Sequence, residues 1–97
     1  MKVPPSSYEA EESVLGALLI DKDAVTEVTP ILKPQHFYNE KYGFIYEAIM
    51  TLYEEREPID VVTVSEKLKA KKALKKVGGM SGLTELVNRV PTSAHAV

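Results

Sequence analysis

The stretch NEKYGFIYEAIMTLYE, residues 39–54, carries the most regular helical pattern in the chain. Its apolar residues recur every three or four positions, a spacing that places them on one face of a helix. These residues are Tyr42, Ile45, Tyr46, Ile49, Leu52 and Tyr53, with Ala48 and Met50 beside them. Asn39 is a favourable N-cap for this helix. The helix is expected to stop at Arg56-Glu57-Pro58, because proline cannot donate a backbone hydrogen bond.

An earlier helix is predicted from a capping box, in which the Ser6 hydroxyl accepts a free backbone N–H and Glu9 reaches back. Three acidic residues lie in its first turns, where the helix dipole favours them: Glu9, Glu11 and Glu12. Its apolar stripe is Val14, Leu15, Leu18 and Leu19, and it ends near Asp21. Gly16 lies mid-helix at a cost of about 1 kcal/mol relative to alanine. We therefore expect a neighbouring helix to approach closely at Gly16.

A second, shorter helix is predicted to begin at Asp23 as its N-cap. Its apolar positions are Val25, Val28, Ile31 and Leu32. Pro30 must interrupt or kink it, and Lys33-Pro34 ends it. The segment from Pro34 to Tyr38 then predicts a helical turn that directs Phe37 inward.

After Pro58, Ile59 and Val61-Val62 could form a brief extended piece, although no partner strand is evident. Thr63 and Glu66 form a second capping box, which predicts a helix with Val64 and Leu68 buried and an end near Ala73. Gly78-Gly79 indicates a turn. A last amphipathic helix then carries Leu83, Leu86, Val87 and Val90 on one side and closes at Pro91.

These elements predict an all-α fold, a compact bundle of about five to six helices within one domain, residues 1–97. Residues 1–5 are expected to form a flexible N-terminal tail. Ser93 has the character of another N-cap, so residues 93–97 are interpreted as the start of a further helix. The sequence is therefore interpreted as cut from a longer chain.

Composition excludes several classes of protein. The chain has no cysteine, so disulfides and thiolate chemistry are excluded, and a reducing cytoplasm is the expected location. The longest apolar run, residues 14–20, is far shorter than the roughly 20 residues needed to span a bilayer. The first residues lack the apolar core of a secretory signal. The composition predicts a cytoplasmic protein without a membrane segment.

The chain lacks the motifs that would predict catalysis. His36 and His95 lie in different segments, and neither has the i+4 partner of a zinc motif. Gly78, Gly79 and Gly82 do not have the spacing of a phosphate-binding loop, and Leu83 stands where that loop needs lysine. The acidic residues Glu54, Glu55 and Glu57 are interpreted as a solvated helix end. We therefore predict no catalytic, cofactor-binding or metal-binding residue.

The charge distribution is uneven. Six lysines fall within ten residues without an acid among them: Lys67, Lys69, Lys71, Lys72, Lys75 and Lys76. The rest of the chain holds six cationic side chains against 14 acidic ones, a net charge of −8. Three interpretations remain open for this lysine segment: a solvated surface, an electrostatic docking surface for an acidic partner or neighbouring subunit, and a contact with DNA phosphates. No aromatic residue interleaves with the lysines for base stacking.

Several stretches, in order, resemble the amino-terminal domain of DnaB-type replicative DNA helicases. The first are Pro4-Pro5, residues 9–11, residues 13–16 and residues 18–21. Next come residues 31–34, which run into Phe37-Tyr38, and then residues 45–49. These are followed by Glu57-Pro58-Ile59-Asp60, which precedes residues 62–64. The last are residues 77–79, 83–86 and 90–94. Each piece is weak alone, whereas the ordered set spans nearly the whole chain.

The resemblance implies a function that composition and spacing do not. It implies a head domain without catalysis, in a hexameric ring that unwinds DNA with ATP and Mg²⁺ held by a separate carboxy-terminal motor domain. It also implies that heads form an amino-terminal collar, that primase docks there within the primosome, and that helicase loaders engage the ring. A helical hairpin that pairs subunits should follow residues 91–94, so this chain is expected to be a monomer or weak dimer. The alternative is a free-standing helical DNA-binding or adaptor module.

Overall fold

The computed structural model describes residues 7–90, which form five α-helices and two short 3₁₀ turns. The helices are α1 (Ser7–Ile20), α2 (Lys22–Val28), α3 (Glu40–Glu54), α4 (Val61–Ala70) and α5 (Gly79–Asn88), and the 3₁₀ turns are Pro34–His36 and Lys75–Val77. Residues 7–90 contain no β-strand, and the prediction of an all-α bundle is confirmed. The predicted tail, the Ser6 cap, the stop at Pro91 and the helix start at 93–97 lie outside the described residues.

Helix α3 contributes the largest share of the core. Asn39 caps it as predicted, since its Oδ1 accepts the backbone N–H of Lys41 at 3.1 Å. The predicted stripe from Tyr42 to Leu52 is buried. The buried hydroxyl of Tyr46 donates to the carbonyl oxygen of Leu32 at 2.7 Å, so this polar atom is satisfied. Tyr53 was expected in the core but is 39% exposed, because it lies in the last turn at the rim of an open groove.

Helices α1 and α5 pack against each other more extensively than any other pair. Gly16 lies at their crossing, where a Cβ would overlap both the carbonyl oxygen of Leu86 and the side chain of Val90. The predicted close approach at Gly16 is therefore confirmed. The missing side chain allows the backbone of α1 to contact the backbone of α5 directly.

Helix α2 begins and ends differently from the prediction. Asp21 is its N-cap, because its Oδ1 accepts the backbone N–H of Asp23 at 3.0 Å. The assignment of the cap to Asp23 was wrong by two positions. The helix stops at Val28, before Pro30, so the helical spacing does not extend to Ile31. Ile31 is consequently 76% exposed rather than buried.

Helix α4 starts earlier than predicted. The N-cap is Asp60, whose carboxylate accepts the backbone N–H of Thr63 at 2.8 Å. In the reciprocal hydrogen bond, Thr63 Oγ1 accepts the backbone N–H of Asp60 at 2.9 Å. The predicted capping box from Thr63 to Glu66 was therefore wrong. Val61 and Val62 form the first turn of this helix instead of an extended piece.

The connection between α4 and α5 is compact. Helix α4 ends at Ala70, three residues before the predicted end, and Ala73 is buried in the connection. Gly78 and Gly79 have φ values of +92° and +69°, in the left-handed region that favours glycine. The predicted turn at Gly78-Gly79 is confirmed, and α5 follows it with Leu83 and Leu86 buried.

Candidate docking surface

The six lysines of the lysine segment occupy the second half of α4, the following turn and the second 3₁₀ turn. Lys67 and Lys69 lie in the last turn of α4, and Lys71 is its C-cap. The negative end of the helix dipole stabilises positive charge at these positions. Part of the lysine cluster thus has a local structural explanation that requires no ligand.

Three of the lysines contact α3. The Nζ of Lys67 forms a salt bridge with Glu55 Oε1 at 2.9 Å. The Nζ of Lys71 donates to Thr51 Oγ1 at 3.3 Å. The Nζ of Lys76 lies 5.2 Å from the ring centroid of Phe44, within the range of a cation–π contact. These three lysines therefore connect α4 and the segment that follows it to α3.

The other three lysines, Lys69, Lys72 and Lys75, are exposed. Within residues 7–90, none of them forms a salt bridge. They are the part of the lysine segment that could neutralise an acidic partner. The structure thus divides the lysine segment into three lysines that contact α3 and three that do not.

Two acidic residues of α1 have a role that the sequence analysis missed. Glu11 is only 8% exposed, and its carboxylate accepts the backbone N–H groups of Tyr38 at 2.7 Å and Asn39 at 3.4 Å. It thereby ties α1 to the loop that enters α3. Its position beyond the first helical turn was the available signal, because a dipole interaction is strongest within that turn.

Glu12 joins three helices. Its carboxylate accepts the hydroxyl of Tyr42 from α3 and lies 3.3 Å from Arg89 Nη1, just after α5. Burial, together with the hydrogen bond to the Glu12 carboxylate, raises the pKa of the Tyr42 hydroxyl well above its ordinary value. Both acids therefore stabilise the fold and do not form a paired-carboxylate site.

One of the two histidines has a structural role. The Nδ1 of exposed His36 accepts the backbone N–H of Lys33 at 3.1 Å, which closes the first 3₁₀ turn. His95 lies outside the described residues. Over residues 7–90, no group of His, Cys, Asp or Glu is arranged to hold a metal ion. No helix in that range is both long and apolar enough to cross a membrane.

These features define a small helical domain whose described polar contacts stabilise the fold. The family described as the DnaB-like helicase N-terminal domain matches residues 3–97. The replicative DNA helicase DnaB of Geobacillus stearothermophilus is 40% identical over 94 residues, which cover 97% of this chain and 21% of that protein. The replicative DNA helicase DnaB of Mycobacterium leprae is 41% identical over 93 residues, covering 96% of this chain and 15% of that protein.

A solved structure agrees with these sequence matches. The crystal structure of the N-terminal domain of DnaB helicase from Mycobacterium tuberculosis superimposes with a TM-score of 0.88 at 41% identity, covering 97% of this chain and 67% of that one. The chain belongs to the DnaB-like helicase N-terminal domain family. It spans about a fifth of the length of the Geobacillus relative. The resemblance found in the sequence is therefore confirmed.

Proposed function

We propose that this chain is the non-catalytic head of a hexameric replicative DNA helicase, acting in assembly of the amino-terminal collar and in recruitment of primase. Its family membership carries the proposal, because the match covers nearly the whole chain. Among residues 7–90, the buried side chains and the side-chain hydrogen bonds stabilise the packing of the helices. In the whole helicase, a separate motor domain would bind ATP and Mg²⁺. The whole helicase would be a cytoplasmic protein.

The proposal assigns partner docking to the exposed half of the lysine segment. Lys69, Lys72 and Lys75 present positive charge on a chain that is otherwise strongly acidic. Oppositely charged patches steer association and select partners. An acidic face of primase, a loader or a neighbouring helicase subunit fits this surface better than single-stranded DNA, since no aromatic residue interleaves with the lysines.

Three assays test the proposed function. Purified chain should show neither ATP hydrolysis nor duplex unwinding, and appreciable activity in either assay would contradict a non-catalytic head. Immobilised chain should retain primase from the same organism. Replacing Lys69, Lys72 and Lys75 together with glutamate should weaken retention, whereas Lys22→Glu and Lys33→Glu provide charge reversals elsewhere. If reversing Lys22 and Lys33 weakens primase retention as much as reversing the three exposed lysines does, a specific lysine docking surface is excluded.

The rival function is DNA binding through the region of α4 and α5, favoured by the three exposed lysines. Duplex DNA should be titrated at low and at moderate salt. Sub-micromolar affinity that falls steeply with salt would support the rival, because binding to phosphates releases counterions. Weak binding at both salt concentrations would leave the docking role as the better explanation.

Assembly is tested separately by sedimentation. We expect a monomer or a weak dimer, and a stable hexamer would contradict this expectation.

A further inference from the structure

Two basic residues adopt a backbone conformation that ordinarily belongs to glycine. Among residues 7–90, the non-glycine residues with positive φ are Arg56, at +61°, and Lys72, at +60°. A residue that has a Cβ is strained in this left-handed region, which glycine enters freely. The chain does use glycine where it needs positive φ again, at Gly78 and Gly79. The basic side chains at the first two positions therefore need a reason that outweighs the strain.

Arg56 and Lys72 occupy the same position at the ends of two helices that pack on each other, α3 and α4. Each residue directly follows the C-cap of its helix. The backbone N–H of Lys72 donates to the carbonyl oxygen of Lys69 at 3.0 Å. The backbone N–H of Arg56 donates in the same way to the carbonyl oxygen of Tyr53 at 3.1 Å. Glycine is the usual residue at this position, so the backbone gives both sites the same preference.

The charges around Arg56 explain why it is basic. Its neighbours in the sequence are acidic and exposed: Glu54, Glu55 and Glu57. Negative charge is unfavourable at the C-terminal end of a helix, and the guanidinium group of Arg56 offsets it. Arg56 therefore has a local electrostatic reason for its side chain.

Lys72 lacks such a reason. No acidic residue lies within five positions of it, whereas four lysines lie within four positions: Lys69, Lys71, Lys75 and Lys76. The dipole of α4 favours positive charge here, but Lys67 and Lys69 in the last turn already supply it. Lys72 is exposed, and among residues 7–90 its ammonium group forms no hydrogen bond or salt bridge. Both its backbone conformation and its neighbouring charges oppose a lysine at this position.

We propose that Lys72 is the specificity-determining residue of the docking surface and pairs directly with a carboxylate of the partner protein. A residue that breaks a local rule without a local gain marks a functional position. Lys69 and Lys75 lie three positions to either side and steer the acidic partner towards it. The proposal rests on the docking function proposed above and names the residue that carries it.

The charge of the rest of the chain favours a protein carboxylate over nucleic acid as this partner. Outside the lysine segment the net charge is −8, which repels an extended polyanion along its length. A compact group of carboxylates can approach the lysines while more distant charges are screened beyond about 10 Å. The lysine segment also lacks aromatic residues on which bases could stack.

The test measures two properties of the intact chain, its Kd for primase from the same organism and its Tm. Lys72→Gly removes the charge and relieves the strain. It should raise Tm by about 2–8 °C and raise the Kd about three- to fivefold. Arg56→Gly is the matched control, since it removes a basic residue with the same backbone conformation, and it should leave the Kd unchanged. Lys72→Arg retains the positive charge and should retain the wild-type Kd.

Three results would overturn the role of Lys72 alone. Lys72→Gly could leave the Kd unchanged while the triple glutamate variant of the docking surface weakens binding, which would leave the docking function standing. Arg56→Gly could raise the Kd as much as Lys72→Gly, which would indicate an effect of net charge. Lys72→Gly could lower Tm, which would show that the lysine stabilises the fold.

Two further results concern the partner. If Lys72→Gly weakens binding of duplex DNA and leaves primase binding unchanged, phosphate groups are its partner and the proposal is wrong. If the wild-type chain does not bind primase, the recruitment function and the role of Lys72 both fail.

Discussion

Replacing Gly16 with alanine tests whether close packing or helix propensity governs the contact between α1 and α5. In an isolated helix this substitution is favourable by about 1 kcal/mol, because alanine restricts the unfolded chain and favours the helical state. At Gly16 the added methyl group would overlap the carbonyl oxygen of Leu86 and the side chain of Val90. Val90 can adjust, whereas the backbone at Leu86 can move only if α5 shifts.

Forcing an additional methyl group into a packed site costs typically about 1–3 kcal/mol. The overlap involves backbone, so the upper part of that range applies, and the propensity gain offsets roughly 1 kcal/mol of it. We expect a net loss of about 1–2 kcal/mol in the free energy of unfolding. For a domain of this size, each kcal/mol lowers Tm by about 4–8 °C.

Thermal and urea unfolding followed by circular dichroism would measure the loss at Gly16. Ala10→Gly, at an exposed position of α1, serves as the control because it reports helix propensity without a packing change. If propensity governed both sites, Gly16→Ala would stabilise the chain by about as much as Ala10→Gly destabilises it. A rise in Tm for Gly16→Ala would refute the close-packing argument.

Three further predictions concern the polar contacts. Glu11→Ala removes the carboxylate that accepts two backbone N–H groups and should lower the free energy of unfolding by about 1–3 kcal/mol in urea titrations; an unchanged midpoint would contradict this. Asp60→Ala removes the N-cap of α4 and should cost about 1 kcal/mol, while Asp60→Asn should retain most of the stability. The raised pKa of Tyr42 means that the fold favours the protonated hydroxyl, so its contribution should be complete below about pH 10 and decline as pH rises above that value. Tyr42→Phe should flatten this alkaline decline, and an identical pH profile in the variant would exclude Tyr42 as its source.

Local patterns were sufficient for most of the helices. The apolar spacing from Tyr42 to Leu52 predicted the buried face of α3, and Asn39 predicted its start. The errors fell at helix ends, where several polar residues compete for the same free backbone groups. The N-caps are Asp21 and Asp60 instead of the predicted Asp23 and Thr63. Which side chain reaches the free N–H groups depends on the path of the backbone into each helix.

For the lysine segment the sequence left three interpretations open: a solvated surface, a docking surface and a contact with DNA phosphates. The structure pairs Lys67, Lys71 and Lys76 with residues of α3 and leaves the other three exposed. Sequence spacing could not identify these partners, because the contacts join residues 12 to 32 positions apart and depend on how α4 packs on α3. The proposed docking surface therefore consists of Lys69, Lys72 and Lys75.

By itself the sequence determined the helical class, the central stripe of α3 and the glycine at a helix crossing, since each depends on residue type and short-range spacing. The ordered motifs also determined the family. Tertiary structure alone decided that Glu11 and Glu12 contact distant segments and that Ile31 and Tyr53 are exposed. The physical reason is that burial and pairing depend on which distant segment covers a side chain, and local periodicity contains no information about that segment.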